Sequence, residues 1–275
     1  MANITAAAVN ELRQKTGVGM MDCKKALVEC EGDMEKAIDY LREKGQKIAS
    51  KRADRDASEG CVLSATNQDK TFGAVIMINC ETDFVAKNED FVKFTHNILE
   101  TAIKAKAKNA GEVNQLVIDG STVENLIVDQ IAKIGEKIEI SHYEVLEAPV
   151  VYAYIHPGNR LASLLSMSKT GFDEKGHDVA MQIAAMAPLA LNKDAVSADV
   201  IEKELEVYRV QIREEGKPEN MVEKIAEGKL NKFFKENTLL SQDFIKDSKK
   251  TVLQYLQEGD KDLTVTAFYR FMLGA

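Results

Sequence analysis

Asp83 and Phe84 set a carboxylate directly beside a large aromatic, inside the junction Asn79-Cys-Glu-Thr-Asp-Phe-Val-Ala-Lys-Asn88. The junction follows the apolar run Gly73–Ile78 and precedes an amphipathic stretch opening near Asn88, where a short polar loop is the ordinary expectation. The helix predicted from about Asn88 to Lys104 carries Phe91, Thr95, Ile98 and Ala102 on one face. Phe84 lies about two turns upstream of that stripe, before the Asn88 cap. Helical period therefore leaves it free, either buried at the strand-to-helix junction or pointing outward. Elsewhere the chemistry-bearing residues do not converge. Cys23, Cys30, Cys61 and Cys80 are scattered without a Cys-x-x-Cys pair, and His96, His142, His156 and His177 lack metal-site spacing. Reduced thiols and no metal are expected. The Gly17-Val18-Gly19 turn opens a helix with no strand before it, so it is not a phosphate loop. No nucleophile or dinucleotide motif occurs. These spacings predict no catalytic site and no cofactor.

The bulk numbers agree with a binding role. The chain has 275 residues, enough for about two domains with a real core. Its 36 basic residues against 44 acidic ones give a net charge of −8. A general nucleic-acid binder needs a basic face to displace counterions, so no direct nucleic-acid partner is expected. The N-terminus has no charged head followed by a long apolar core, and no run of about 18 apolar residues occurs. A cytoplasmic protein with neither signal peptide nor membrane span is expected.

The elements that must position Asp83 and Phe84 read as an α+β chain. Residues 1–45 form a module of three short helices. Thr5 caps the first, with Ala8, Val9 and Leu12 on one side. The second is expected to bury a stripe drawn from Met21, Ala26 or Lys25, and Val28 or Cys30. Asp33 caps the third, with Ala37, Ile38 and Leu41 inward, and Gly45 is expected to end it. Residues 46–56 belong to a basic segment running from Arg42 to Arg55, read as a solvated helical linker or a contact for an acidic partner or RNA.

A strand, strand, helix order then occurs twice. Cys61–Ala65, Phe72–Ile78 and the helix from Asn88 form the first set. Val150–Ile155, Arg160–Leu165 and a helix over Lys175–Ala187, with Val179, Ile183 and Met186 on one side, form the second. Two related sandwich-like α/β subdomains with antiparallel strands follow, over 57–146 and 147–275. Between the two sets a helix is predicted over Ser121–Ile134 and a strand over Lys137–Val145. Within the second subdomain, 197–235 reads as an antiparallel coiled-coil hairpin. Its seams are Ile201, Leu205, Tyr208, Ile212 and Val222, Ala226, Leu230, Phe233, joined by Gly216-Lys-Pro218. The alternative packs both helices onto the sheets. The chain closes with a helix over Ser248–Leu256 and a strand over Leu263–Met272.

Motifs along nearly the whole chain carry a resemblance. They are Leu12-Arg13-x-x-Thr16-Gly-Val-Gly-Met-Met-Asp-Cys-Lys-Lys-Ala-Leu27, Thr82-Asp-Phe-Val-Ala86, Ala132-Lys-Ile-Gly-Glu136, Tyr154-Ile-His-x-Gly158 with Arg160, Ala180-Met-Gln-Ile-Ala-Ala185 with Pro188, and Gly216-Lys-Pro218. In number, order and spacing this set resembles bacterial elongation factor Ts. The resemblance implies a ubiquitin-associated-like N-terminal module and a guanine nucleotide exchange factor for elongation factor Tu, met in its GDP-bound and nucleotide-free states. It implies that Thr82, Asp83, Phe84, Val85 and Ala86 form the exchange wedge beside the partner's magnesium and phosphate site. Val18, Gly19, Met20 and Met21 become candidate contacts to the partner's G domain, although the methionines could equally fill the module's core. His156, Arg160, Met181 and Gln182 become candidate contacts to its barrel domain, with a structural role for His156 as the alternative. Two departures stand out. Ala162 and Ser163 replace an expected Gly and apolar residue, and the chain ends at Ala275 without the C-terminal helix that some relatives place on the partner.

Overall fold

The computed structural model describes residues 4–274. Three helices open it: α1 (Ala6–Thr16), α2 (Met20–Glu29) and α3 (Met34–Lys51). Thr5 and Asp33 cap α1 and α3 through their side chains. Leu12, Cys23, Ala26, Leu27, Ala37 and Leu41 make their common core. Two expectations are corrected here. The buried stripe of α2 is Cys23, Ala26 and Leu27, while Met21 and Val28 are exposed. Several amphipathic readings fit ten residues, and packing against two neighbours selects one of them. Gly45 does not end α3. It lies buried mid-helix, and a Cβ there would meet the Val128 carbonyl oxygen at 2.7 Å and the Ala132 Cβ at 2.9 Å. The missing side chain permits close helix approach rather than a turn.

Next come β1 (Glu59–Thr66), β2 (Phe72–Cys80), α4 (Asp83–Ala86), α5 (Glu89–Ala105), α6 (Ala110–Gln115), the two-residue pair β3 (Val117–Ile118) and β4 (Ser121–Thr122), α7 (Val123–Ile134) and β5 (Glu139–Glu147). A three-stranded antiparallel sheet runs β1-β2-β5. All nine residues of β2 are buried, because both faces of this central strand are covered. Phe72, Ala74, Ile76 and Ile78 meet the helices, including Phe91, Ile98 and Ala102 of α5. Val75 and Met77 turn to the opposite face.

The chain continues through β6 (Val150–Ile155), β7 (Leu161–Met167), α8 (Asp173–Met186), α9 (Ala198–Glu214), α10 (Glu219–Asn237), β8 (Asp243–Phe244), β9 (Asp247–Thr251), α11 (Val252–Gln257) and β10 (Val265–Met272). The second antiparallel sheet runs β10-β7-β6. Val151, Ala162, Leu164 and Leu273 from its side close on Val62, Val75, Met77 and Leu146 of the first sheet. Leu165 and Met167 face the other way, onto Val179 and Ile183 of α8. The helix expected over Ser248–Leu256 is a strand in its first half, and Thr251 then starts α11 with a capping box. Met186, expected to be inward on α8, is exposed.

Helices α9 and α10 pair as the hairpin, with Ile212, Val222 and Ala226 buried between them and Leu205 and Tyr208 partly so. Gly216 turns the chain at φ +72°. Arg209 to Glu223 at 2.8 Å and Arg213 to Glu219 at 2.8 Å bridge the two helices.

Candidate functional site

Local chemistry builds α4 directly behind β2. The Thr82 hydroxyl accepts from the Val85 amide at 3.5 Å as a helix N-cap. Asp83 pairs with Lys87 one turn on at 2.6 Å, and that hydrogen bond holds its carboxyl below the usual aspartate range. Ala86 is buried and Val85 packs on the core. Phe84 is 84% exposed. The four-residue helix thus has an anchored side and a bare aromatic side.

The base of α4 is cross-linked to distant chain. Gly135, at φ +81°, ends α7 in the left-handed region and turns the next residue back toward the β2–α4 junction. One oxygen of Glu136 accepts from the amides of Glu81 and Thr82, each at 3.1 Å, and the other accepts from the Thr82 hydroxyl at 2.6 Å. Glu81 answers by accepting from the Lys137 amide at 2.6 Å and from Arg52 at 2.7 Å. Burial alone would raise the Glu81 carboxyl, but the Lys137 amide and Arg52 outweigh it and hold it below the ordinary value. Cys80 donates to the Thr82 carbonyl at 3.2 Å. Burial, aided by Glu136, pushes that thiol up to about 12, so it stays neutral at pH 7.

An NMR titration of the Glu81 carboxyl is expected to find its midpoint below 4.5, the ordinary glutamate value. A folded-state pKa under the unfolded one means that the contact stabilises fully above that value. The contribution is lost as the pH falls through the depressed midpoint. A midpoint at or above 4.5 would mean that the Arg52–Glu81–Lys137 contact does not form in solution.

The other expected site residues divide by burial. In the N-terminal module Gly19, Met20 and Met21 are exposed, with Met21 at 76%. Val18 is buried in the module's core, which corrects its placement as a direct contact. Val28, 55% exposed and two turns from Met21 on the same face, is a further candidate, which the sequence offered only as an alternative to Cys30 for the buried stripe. Its signal was present in the Met21, Lys25, Val28 spacing, which suits an outer face as well as an inner one. The basic segment is partly tied down: Arg42 pairs with Asp129, Lys44 with Asp22 and Arg52 with Glu81.

Around the second sheet, His156 is exposed in the β6–β7 turn and its Nδ1 lies 3.1 Å from the Tyr154 hydroxyl. The Tyr154 ring also meets His177 edge-on at 5.9 Å, which brings the turn beside the α8 face that bears Met181 one turn later. Met181 is half-buried. Arg160 pairs with Glu59 of the other sheet while its side chain stays half-exposed. Gln182 is fully buried, donating to Gln242 and the Asp243 carbonyl and accepting from the Ile245 amide at 2.8 Å. It is a structural amide, and its placement as a contact is corrected. Ala162 fills the space between the sheets, and Ser163 donates to the Ala180 carbonyl at 2.7 Å.

This geometry offers a protruding aromatic and carboxylate on a braced helix. Among the described residues no cluster of three or more His, Cys, Asp or Glu could hold a metal. The family described as "Elongation factor TS" matches residues 81–275. The chain is similar to "Elongation factor Ts" of Christiangramia forsetii, 52% identical over 276 residues and covering 100% of both chains. It is 49% identical to the protein of the same name from Flavobacterium psychrophilum, again over 100% of both. With that of Porphyromonas gingivalis it shares 47% identity over 273 residues, 99% of each.

Proposed function

The chain belongs to the elongation factor Ts family, and we propose that its Asp83–Phe84 tip releases GDP from elongation factor Tu by disturbing the partner's magnesium and phosphate site. As a family member it is a nucleotide exchange factor of translation elongation and acts by binding, with no chemical step of its own. The observation that carries the tip reading is Phe84 itself, 84% exposed on a helix whose other side is buried. Leaving a phenylalanine in water forgoes about 1.5–3 kcal/mol of burial, which contact with a partner would recover.

Pushed beside the phosphates, the ring displaces packed elements while the Asp83 carboxylate opposes groups that hold the metal. Nucleotide affinity rests on those contacts, so GDP weakens while its base is untouched. The coupling is reciprocal: GDP loosens the factor by the same ratio as the factor loosens GDP. The factor thus meets the GDP-bound partner and is left on the nucleotide-free one until GTP binds.

The exposed Gly19, Met20, Met21 and Val28 support an N-terminal module of ubiquitin-associated type docking on the G domain. His156, Met181 and Arg160 are proposed to meet the barrel domain. Two sheets, each backed by its own helices, support the reading of two related subdomains. Four unpaired thiols suit a cytoplasmic setting, and among the described residues no helix is long and apolar enough to cross a membrane.

The test is release of a fluorescent GDP analogue from elongation factor Tu. Stoichiometric amounts of the chain are expected to accelerate release by at least about a hundredfold, equivalent to lowering the release barrier by about 2.7 kcal/mol. No acceleration would overturn the proposal.

A further inference from the structure

We infer that Glu136 is a positioning residue for nucleotide exchange: its carboxylate braces the base of α4 so that Phe84 pushes on the partner instead of yielding. The inference rests on reading Phe84 as the exchange tip. Four helical residues do not hold a direction by themselves. Phe84 makes no core contact of its own, so its aim depends on the backbone at the two ends of α4. The C-terminal end is held by Ala86 in the core. The N-terminal end is held by the three hydrogen bonds that Glu136 accepts from Glu81 and Thr82, the residues directly before Asp83 and Phe84.

The brace is mutual. Glu81 accepts from the Lys137 amide, so each of two acidic residues secures the backbone of the other's loop. Gly135 makes this possible, since only a left-handed turn at the end of α7 brings Glu136 back over the junction. Charge-assisted bonds to backbone amides are among the stronger hydrogen bonds available. A tip on a stiff base transmits its contact energy into the partner. A tip on a loose base swings aside, keeps its contact and leaves GDP in place, so partner binding and exchange separate.

Glu136→Gln is the direct test, because an amide offers one acceptor oxygen and replaces the other with a donor. Release of a fluorescent GDP analogue from elongation factor Tu is measured across a range of factor concentrations. Glu136→Gln is expected to lower the saturating rate about tenfold and to move the half-saturating concentration less than about threefold. Amide hydrogen exchange followed by NMR is expected to find Glu81 and Thr82 less protected in this variant. Because Glu136 acts through the tip, Phe84→Ala/Glu136→Gln should be no slower than Phe84→Ala alone.

Losses that multiply, an unchanged saturating rate, or full protection of both amides would each overturn the inference. If Phe84→Ala exchanges as fast as the parent, the tip reading has failed and this role for Glu136 goes with it. If Phe84→Ala is slow and Glu136→Gln is not, only the brace has failed. Thr82→Val, which at constant volume removes both one donor to Glu136 and the acceptor that caps α4, serves if Glu136→Gln does not fold, with lost protection of the Glu81 amide as the sign that the brace itself is loosened. Recovery of the rate in Thr82→Ser then separates the lost hydrogen bond from a packing defect.

Discussion

Replacing Phe84 with Ala is expected to leave the fold intact and to slow GDP release at saturating factor by about thirtyfold or more. The two halves of this expectation have separate causes. The ring is 84% exposed, and exposed substitutions away from structural features move stability by only about 0.5 kcal/mol. The Thr82 cap, the Asp83–Lys87 pair and the Ala86 anchor do not involve the ring, so α4 survives. The lost rate is instead the difference between a ring that displaces packed elements of the partner and a methyl group that reaches none of them. Aromatic anchors at interface centres account for about 2–4 kcal/mol on truncation. Partner binding through the contacts proposed for the N-terminal module and the second sheet is expected to remain. Stopped-flow release together with thermal unfolding reads both halves. A variant that unfolds would place Phe84 among the core residues, and one that exchanges at the parental rate would end its role as the tip.

Substituting Gly45 with Val is expected to have the largest structural effect. The added Cβ would stand 2.7 Å from the Val128 carbonyl oxygen and 2.9 Å from the Ala132 Cβ. The first of these is backbone, so no rotamer change relieves it and α3 must move away from α7. Two effects of opposite sign compete. Replacing a mid-helix glycine with valine helps α3 by only about 0.3–0.5 kcal/mol, because valine is itself a weak helix former, whereas overpacking costs about 1–3 kcal/mol. Backbone contact makes the second win. As the helices part, the Arg42–Asp129 pair, 3.2 Å at each of its two contacts, opens, and Ala132 leaves the core it shares with the module.

The module keeps Leu12, Cys23 and Leu27 packed and loses its fixed seat. Hydrogen exchange across Val128–Ala132 should rise. The factor concentration needed for half-maximal exchange should increase about tenfold, because a module that swings must be ordered on binding. Parental protection and parental half-saturation would mean that this close approach does not hold the module.

Residue patterns at short range made much of this protein legible. Strand alternation, the Asn88 cap, the Gly216-Lys-Pro218 turn and the doubled strand, strand, helix order all rest on chemistry among residues a few positions apart. Such chemistry acts the same way in any surroundings. The freedom of Phe84 could be read because the stripe of α5 begins only at Phe91. Which way that freedom was used could not, and neither could the outer face of α2, the inner places of Val18 and Gln182, or the mid-helix role of Gly45. A ten-residue helix has more than one face that can be buried, and a buried amide needs only some partner, wherever it lies in the chain. A glycine reads alike as a helix end and as a point of close approach. Glu136 is the extreme case. Its partners lie 54 and 55 positions away, beyond any local pattern, and only the burial of α7 in the core it shares with β2 brings them within hydrogen-bonding reach. The sequence by itself determined that an aromatic and a carboxylate would stand at the end of β2, and tertiary structure decided that the aromatic would be exposed, the carboxylate partly so, and the backbone directly before them hydrogen-bonded from below by Glu136.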